Sequence, residues 1–232
     1  MSPITSIEMF LTQVRAGPAS QERQALERRI TSWLAYYRAL QFIRERYGQL
    51  NTAYIQAINH YLQTRERLPN EPHLSTTVQH AQAEAQALHR ALEEKYVSFY
   101  TFATGLLDSM VDTLQCYFGL GWNRSEITHA RLTRDFPTLC VEKGLIPVPT
   151  ALPTLMREMQ AAIEAAHPSL TPLLGEHPTE RLTALSTAIN VYIAALMQFF
   201  ARNVERSVLR SALADPQEPK PSNHTHVPHP TQ

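Results

Sequence analysis

Residues 75–121 read STTVQHAQAEAQALHRALEEKYVSFYTFATGLLDSMVDTLQCYFGLG. Within this stretch Val78, Ala81, Ala85, Leu88, Leu92, Phe99, Phe102, Leu106, Met110, Leu114 and Tyr117 recur at mostly helical steps. Such steps place one apolar stripe along one side of a helix. Gly119 and Gly121 close it, as glycine does just past a helix end. The predicted rod is about 65 Å long at 1.5 Å per residue. A helix of that length is expected to form the spine of a bundle, to project as a coiled-coil arm, or to break near Gly105.

The pattern extends in both directions. Upstream, Leu26, Ile30, Trp33, Tyr37, Leu40, Ile43 and Tyr47 form a second stripe, with Arg28, Arg29, Arg38 and Glu45 on the solvated side. It resumes after Gly48 with Leu50, Tyr54, Ile58, Tyr61 and Leu62, as one helix bent at the glycine or two in line, and stops at Pro69 and Pro72. Downstream, Asn123 with Glu126 resembles a capping box that opens a short helix through Ile127 and Leu132, stopping before Pro137. A short segment from Thr138 to Lys143 follows, then a linker with Pro147, Pro149 and Pro153. Helix resumes with Leu152, Leu155, Met159 and Ile163 and stops before Pro168. A last helix starts near Thr179, carries Leu182, Leu185, Ile189, Tyr192, Leu196 and Phe199, and fades into Arg202, Arg206 and Arg210. Leu145 to Val148 is the one short strand candidate.

The expected fold class is therefore all-α: a helical bundle with one very long central helix. Residues 1–19 are expected to be a partly ordered N-terminal segment and residues 20–214 a single helical domain. Residues 215–232, rich in proline and histidine, are expected to be a disordered tail, because they cannot bury enough surface to offset the entropy of ordering.

Composition narrows function. The 232 residues are 44% apolar, too apolar for disorder throughout. The 21 basic and 21 acidic residues cancel, which disfavours binding of nucleic acid or anionic lipid by bulk charge. Two cysteines, Cys116 and Cys140, point to a reducing compartment. No signal-peptide pattern is visible, so a cytoplasmic location is expected. No membrane span is expected either: the most apolar segment, Val97 to Leu120, is interrupted by Asp108, Asp112 and Gln115.

Few constellations carry chemistry. Asp108 and Asp112 sit one turn apart and, with Thr101, Thr104 and Gln115, form a polar stripe on an apolar helix. A metal or acid–base pair and a solvated face both fit it, the second better. His80, Glu84 and His89 lack the four-residue histidine spacing of a zinc helix. His224, His226 and His229 lie in the tail without preformed geometry. Arg202, Arg206 and Arg210, four residues apart, would stack on one helix face, where they could contact phosphate or simply suit the helix dipole. No phosphate-binding glycine loop, nucleophile elbow or paired Cys-x-x-Cys is present, and no metal site or cofactor is expected.

Residues 99–122, FYTFATGLLDSMVDTLQCYFGLGW, and 128–145, THARLTRDFPTLCVEKGL, are similar to helical proteins of the HEPN superfamily (higher eukaryotes and prokaryotes nucleotide-binding). The shared features are the aromatic run ending at Asp108, the Tyr117-Phe118-Gly119 helix end, His129, and the Glu142-Lys143-Gly144-Leu145 turn. The likeness spans about residues 75–185. It implies a helical bundle that forms a homo-oligomer or binds a protein partner, with RNA as a further ligand. In active members an arginine and a histidine four to six residues apart cleave RNA without metal: arginine steadies the phosphorane and histidine moves the protons. Arg124 and His129 have that spacing. His177 stands where the resemblance puts the histidine, but Leu170, Thr171 and Pro172 occupy the arginine's place and Arg181 follows instead. The resemblance therefore implies a non-catalytic module. A metal-independent endoribonuclease of toxin–antitoxin type using His177 or Arg124/His129, or a structural adaptor with no nucleic-acid role, are the alternatives.

Overall fold

A computed structural model describes residues 2–17, 19–121, 128–146, 151–167 and 178–209. Among them there are six α-helices and no strand: α1 (Pro3–Ala16), α2 (Gln21–Arg67), α3 (Ser75–Phe118), α4 (His129–Glu142), α5 (Ala151–Ala165) and α6 (Pro178–Arg202). Short 3-10 turns, Pro72–Leu74 and Val204–Arg206, join α2 to α3 and follow α6. The expected tail, together with Arg124, His177 and Arg210, lies outside the described residues.

Local chemistry sets the helix ends. Ser2, Ser20 and Thr128 each accept a hydrogen bond from the N–H three residues on, capping α1, α2 and α4. Gly119 ends α3 in the left-handed region at φ 59°, where a side chain would be strained.

The fold is organised by two long helices, of 47 and 44 residues, paired antiparallel. Arg29 on α2 donates to Asp112 on α3 at 2.7 Å, and Trp33 Nε1 donates to the Ser109 carbonyl at 3.0 Å. The upstream stripe thus forms one uninterrupted helix through Gly48. The spine continues through Gly105 as well, because that glycine serves close packing: a Cβ there would lie 2.8 Å from Cε1 of Tyr36.

The core fills the space between the lower half of this hairpin and α1, α4, α5 and α6. Trp33, Tyr117, Phe199 and Phe200 are almost wholly buried at its centre, with Phe10 stacked 5.2 Å from Phe200. Within the N-terminal segment, α1 buries Ile7, Phe10, Leu11 and Val14 at helical spacing. Among the described residues α6, over Thr179–Arg202, is the helix long and apolar enough to cross a membrane, rather than Val97–Leu120. Its Leu182, Leu185, Ile189, Tyr192, Leu196 and Phe199 face this core.

One sequence expectation fails locally, and one short strand candidate is not realised over its described residues. Helix α4 begins at His129, capped by Thr128, and passes through Pro137 instead of stopping before it. Phe136, Leu139 and Cys140 continue its buried stripe, while Pro137 is exposed, so the carbonyl freed by the missing N–H is left on the solvent side. Leu145 and Ile146 form no strand, because a side chain takes the ladder's place. Ile146 N–H donates to Asn203 Oδ1 at 2.7 Å, and Asn203 Nδ2 donates to the Ile146 carbonyl at 2.9 Å. Asn203 is fully buried at the end of α6 and ties the exit of α4 to it.

The α2–α3 hairpin outruns the bundle. The contiguous core ends at Tyr47 on α2 and begins at Leu92 on α3. Beyond those levels the buried residues are Ala57, Thr64, Ala81 and Ala85. The two helices there form an arm about 30 Å long.

Candidate functional site

Four helices bring one polar cluster into the core. Asp108 comes from α3, His129 from the first position of α4, Gln160 from α5 and Tyr192 from α6. The His129 N–H, one of the donors left over at a helix start, donates to Asp108 Oδ1 at 3.3 Å. On the ring, Nδ1 is 3.0 Å from Gln160 Oε1 and Nε2 is 3.1 Å from the Tyr192 hydroxyl. Gln160 Nε2 in turn donates to Glu164 at 2.8 Å.

These partners assign the proton. Since the Gln160 amide nitrogen donates to Glu164, its oxygen faces His129, so Nδ1 carries the hydrogen and donates. Nε2 is then an acceptor for the Tyr192 O–H. The result is a one-way chain from buried Tyr192 through neutral His129 and Gln160 to exposed Glu164. Burial agrees with a neutral ring: desolvation holds the imidazole below its usual 6.5, against the opposing pull of Gln160 and Asp108. Burial also raises the Tyr192 phenol and the Asp108 carboxyl, the latter opposed by the hydrogen bond from the His129 N–H.

His129 is 3% exposed and both ring nitrogens are engaged, so a phosphate could reach it only by displacing Gln160 or Tyr192. Arg181 lies in the first turns of α6 and Arg202 at its end, about 30 Å apart along the helix, so the structure does not bring them together. Arg202 and Arg206 do not share a helix face either. The α-helix stops at Arg202, and Arg206 closes the 3-10 turn beyond fully buried Asn203.

The polar stripe of the spine dissolves into separate contacts. Asp108 turns to α4 and Asp112 to Arg29, while Thr101 and Thr104 donate back to the carbonyls of Val97 and Tyr100. Among the described residues no group of three His, Cys, Asp or Glu side chains is placed to hold a metal ion. Cys140 is buried and its thiol is pushed up to about 11, which makes it a poor nucleophile at neutral pH. Gln160 and Tyr192 escape sequence reasoning because both sit within apolar stripes. A tyrosine at a core position looks like any other large apolar residue until its hydroxyl is given a partner.

A second feature lies on the arm. A groove of about 220 Å³ is lined by Tyr54, Ile58 and Tyr61 on α2 and by Gln82, Ala85, Gln86 and His89 on α3. His89 packs its ring 5.8 Å from that of Tyr54. His80 and Glu84 are exposed on the same helix and do not join it. No protein-family model matches this chain, and no curated protein or solved structure matches it.

Proposed function

We propose that this chain is a non-catalytic, HEPN-like helical module that works by association, with its arm as the contact surface. The observation that carries this reading is the arm itself: beyond the core, Ile55 and Leu62 are 48% and 45% exposed beside an aromatic-lined groove. Large apolar side chains clustered outside a core mark contact surfaces. The polar cluster around His129 is used up holding four helices in register, which fits a role in stability rather than turnover. RNA is the less favoured partner: residues 49–64 of the arm hold no lysine or arginine, and beyond them Arg65 and Arg67 are offset by Glu66 and Glu71, the last paired with Arg67 at 2.8 Å.

Two measurements test the reading. The purified chain is expected to leave single-stranded RNA intact in the presence of a chelator; cleavage that His177→Ala abolishes would restore the ribonuclease alternative. A photoreactive side chain at position 62, introduced in the source cells, is expected to give a protein adduct that the same group at position 63 does not. No adduct at either position refutes association through the arm.

A further inference from the structure

A cavity lies at the base of the bundle, beside the end of α3, while the arm holds the start of that helix. It measures about 320 Å³ and is lined by Phe10, Gln13 and Val14 on α1, Tyr117 on α3, and Val204 and Leu209 beyond α6. None of its lining residues is charged. The Tyr117 hydroxyl donates to the Phe200 carbonyl at 3.3 Å, so Gln13 is the one named side chain with hydrogen-bonding groups to spare. Val204 is 41% exposed on this wall.

The chain itself runs into this cavity. Ser207 is extended, at φ −86° and ψ 161°, and Val208 and Leu209 after it are helical again. A serine in extended backbone just ahead of helical residues is an N-cap arrangement. Val208 Cγ1 would lie 3.6 Å from a Cβ on Gly119, so this start is seated against the end of α3. Leu209 is the last described residue here and forms part of the cavity wall. Arg210, Ser211, Ala212, Leu213 and Ala214 follow it, and Pro216 disfavours helix at Asp215. At about 100° per residue, a helix continued from Leu209 returns Ala212 and Leu213 to the Leu209 face and sets Arg210, Ser211 and Ala214 on the other.

We infer that the base cavity is the docking site of the chain's own residues 210–214, with Leu213 seated against Phe10, Val14 and Val204, so that this segment clasps α1 to the end of α6. Chain length decides the occupant. Leu213 is one turn, about 6 Å along a helix, from a residue already in the wall. A group tethered that closely has an effective concentration that a free apolar ligand or a second chain does not match. The chemistry agrees. An uncharged wall receives Ala212 and Leu213, while Arg210 and Ser211 keep their contact with water. The inference stands apart from the association reading, because the arm takes no part in it.

Limited trypsin digestion of the full chain reads the docked state at one bond. Cleavage after Arg210 releases residues 211–232 as a single peptide, since Pro221 protects Lys220. Docking shields that bond, and burial of a leucine side chain favours the docked state by about tenfold or more. Leu213→Glu, and Val204→Glu on the facing wall, are each expected to speed release of the peptide at least tenfold. Ala214→Glu, on the polar side, is expected to leave the rate in place. Circular dichroism of each variant shows whether the helices persist; if Val204→Glu unfolds, Leu213→Glu decides alone. A photoreactive side chain at position 213 is expected to give an adduct within residues 10–14 at the 26.3 kDa mass of one chain. Release that Leu213→Glu does not speed, or that Ala214→Glu speeds equally, overturns the inference, as does the lack of an adduct within the chain.

Discussion

Replacing His129 with alanine removes the junction of four helices, and the cost follows from what is left behind. The Tyr192 hydroxyl is wholly inside the core and loses its acceptor at 3.1 Å; an orphaned buried donor costs about 1–3 kcal/mol. Gln160 is half-buried and recovers part of its loss from water, while the vanished ring leaves a cavity worth about 1–2 kcal/mol. His129→Ala is therefore expected to lower unfolding free energy by roughly 3–4 kcal/mol. Tyr192→Phe alone, which orphans Nε2, is expected to cost about 1–3 kcal/mol, and the double variant less than the sum of the two.

The same network makes a pH prediction of definite sign. Folding holds His129 below its ordinary 6.5, so as pH falls through that value the unfolded chain takes up the proton first. The stability due to neutral His129 is present above 6.5 and is lost as pH falls toward the folded value, by at most about 1.4 kcal/mol per pH unit. Asp108 acts in the opposite direction at lower pH: its raised value makes the folded state the better proton acceptor just above 3.8. Urea unfolding at several pH values, on the wild type, both single variants and the double variant, reads all of this. A loss below about 0.5 kcal/mol for His129→Ala, additive variants, or an unchanged pH slope without the imidazole would refute the network.

Other substitutions probe separate parts of the fold. Asn203→Ala is expected to cost about 2–4 kcal/mol, since it removes two bonds to Ile146 and one to the Phe199 carbonyl in a fully buried setting; a fall in thermal midpoint of several degrees measures it. Gly119→Ala is expected to destabilise by about 1 kcal/mol, because φ 59° strains any side chain, while the nearest atom to its Cβ, Val208 Cγ1 at 3.6 Å, is at ordinary contact distance and adds no clash. Arg29→Met is expected to change stability by less than about 1 kcal/mol, since its ion pair with Asp112 is partly exposed; the effect should shrink further in high salt. Cys140, 7% exposed with its thiol near 11, is expected to label with iodoacetamide far more slowly than half-buried Cys116 at neutral pH, with the difference vanishing in denaturant.

Periodicity alone identifies an all-α chain, marks the stripes of α2, α3, α5 and α6, and puts the end of the spine at Gly119, because helix period, proline and glycine are properties of neighbours in sequence. Tertiary structure decided the rest. Pro137 stays inside α4 because Phe136, Leu139 and Cys140 on either side of it have a core to enter. Leu145 and Ile146 form no strand because Asn203, distant in sequence, supplies both hydrogen bonds. His129 belongs with Tyr192 and Gln160 and not with a neighbouring arginine, since a ring nitrogen's partner depends on which helices pack together. The sparse charge of residues 49–64 and 75–89 is legible in the sequence, but these stretches become an exposed arm only once the core is seen to end at Tyr47 and Leu92. Sequence specifies which residues are able to bury themselves; only packing specifies which of them find something to be buried against.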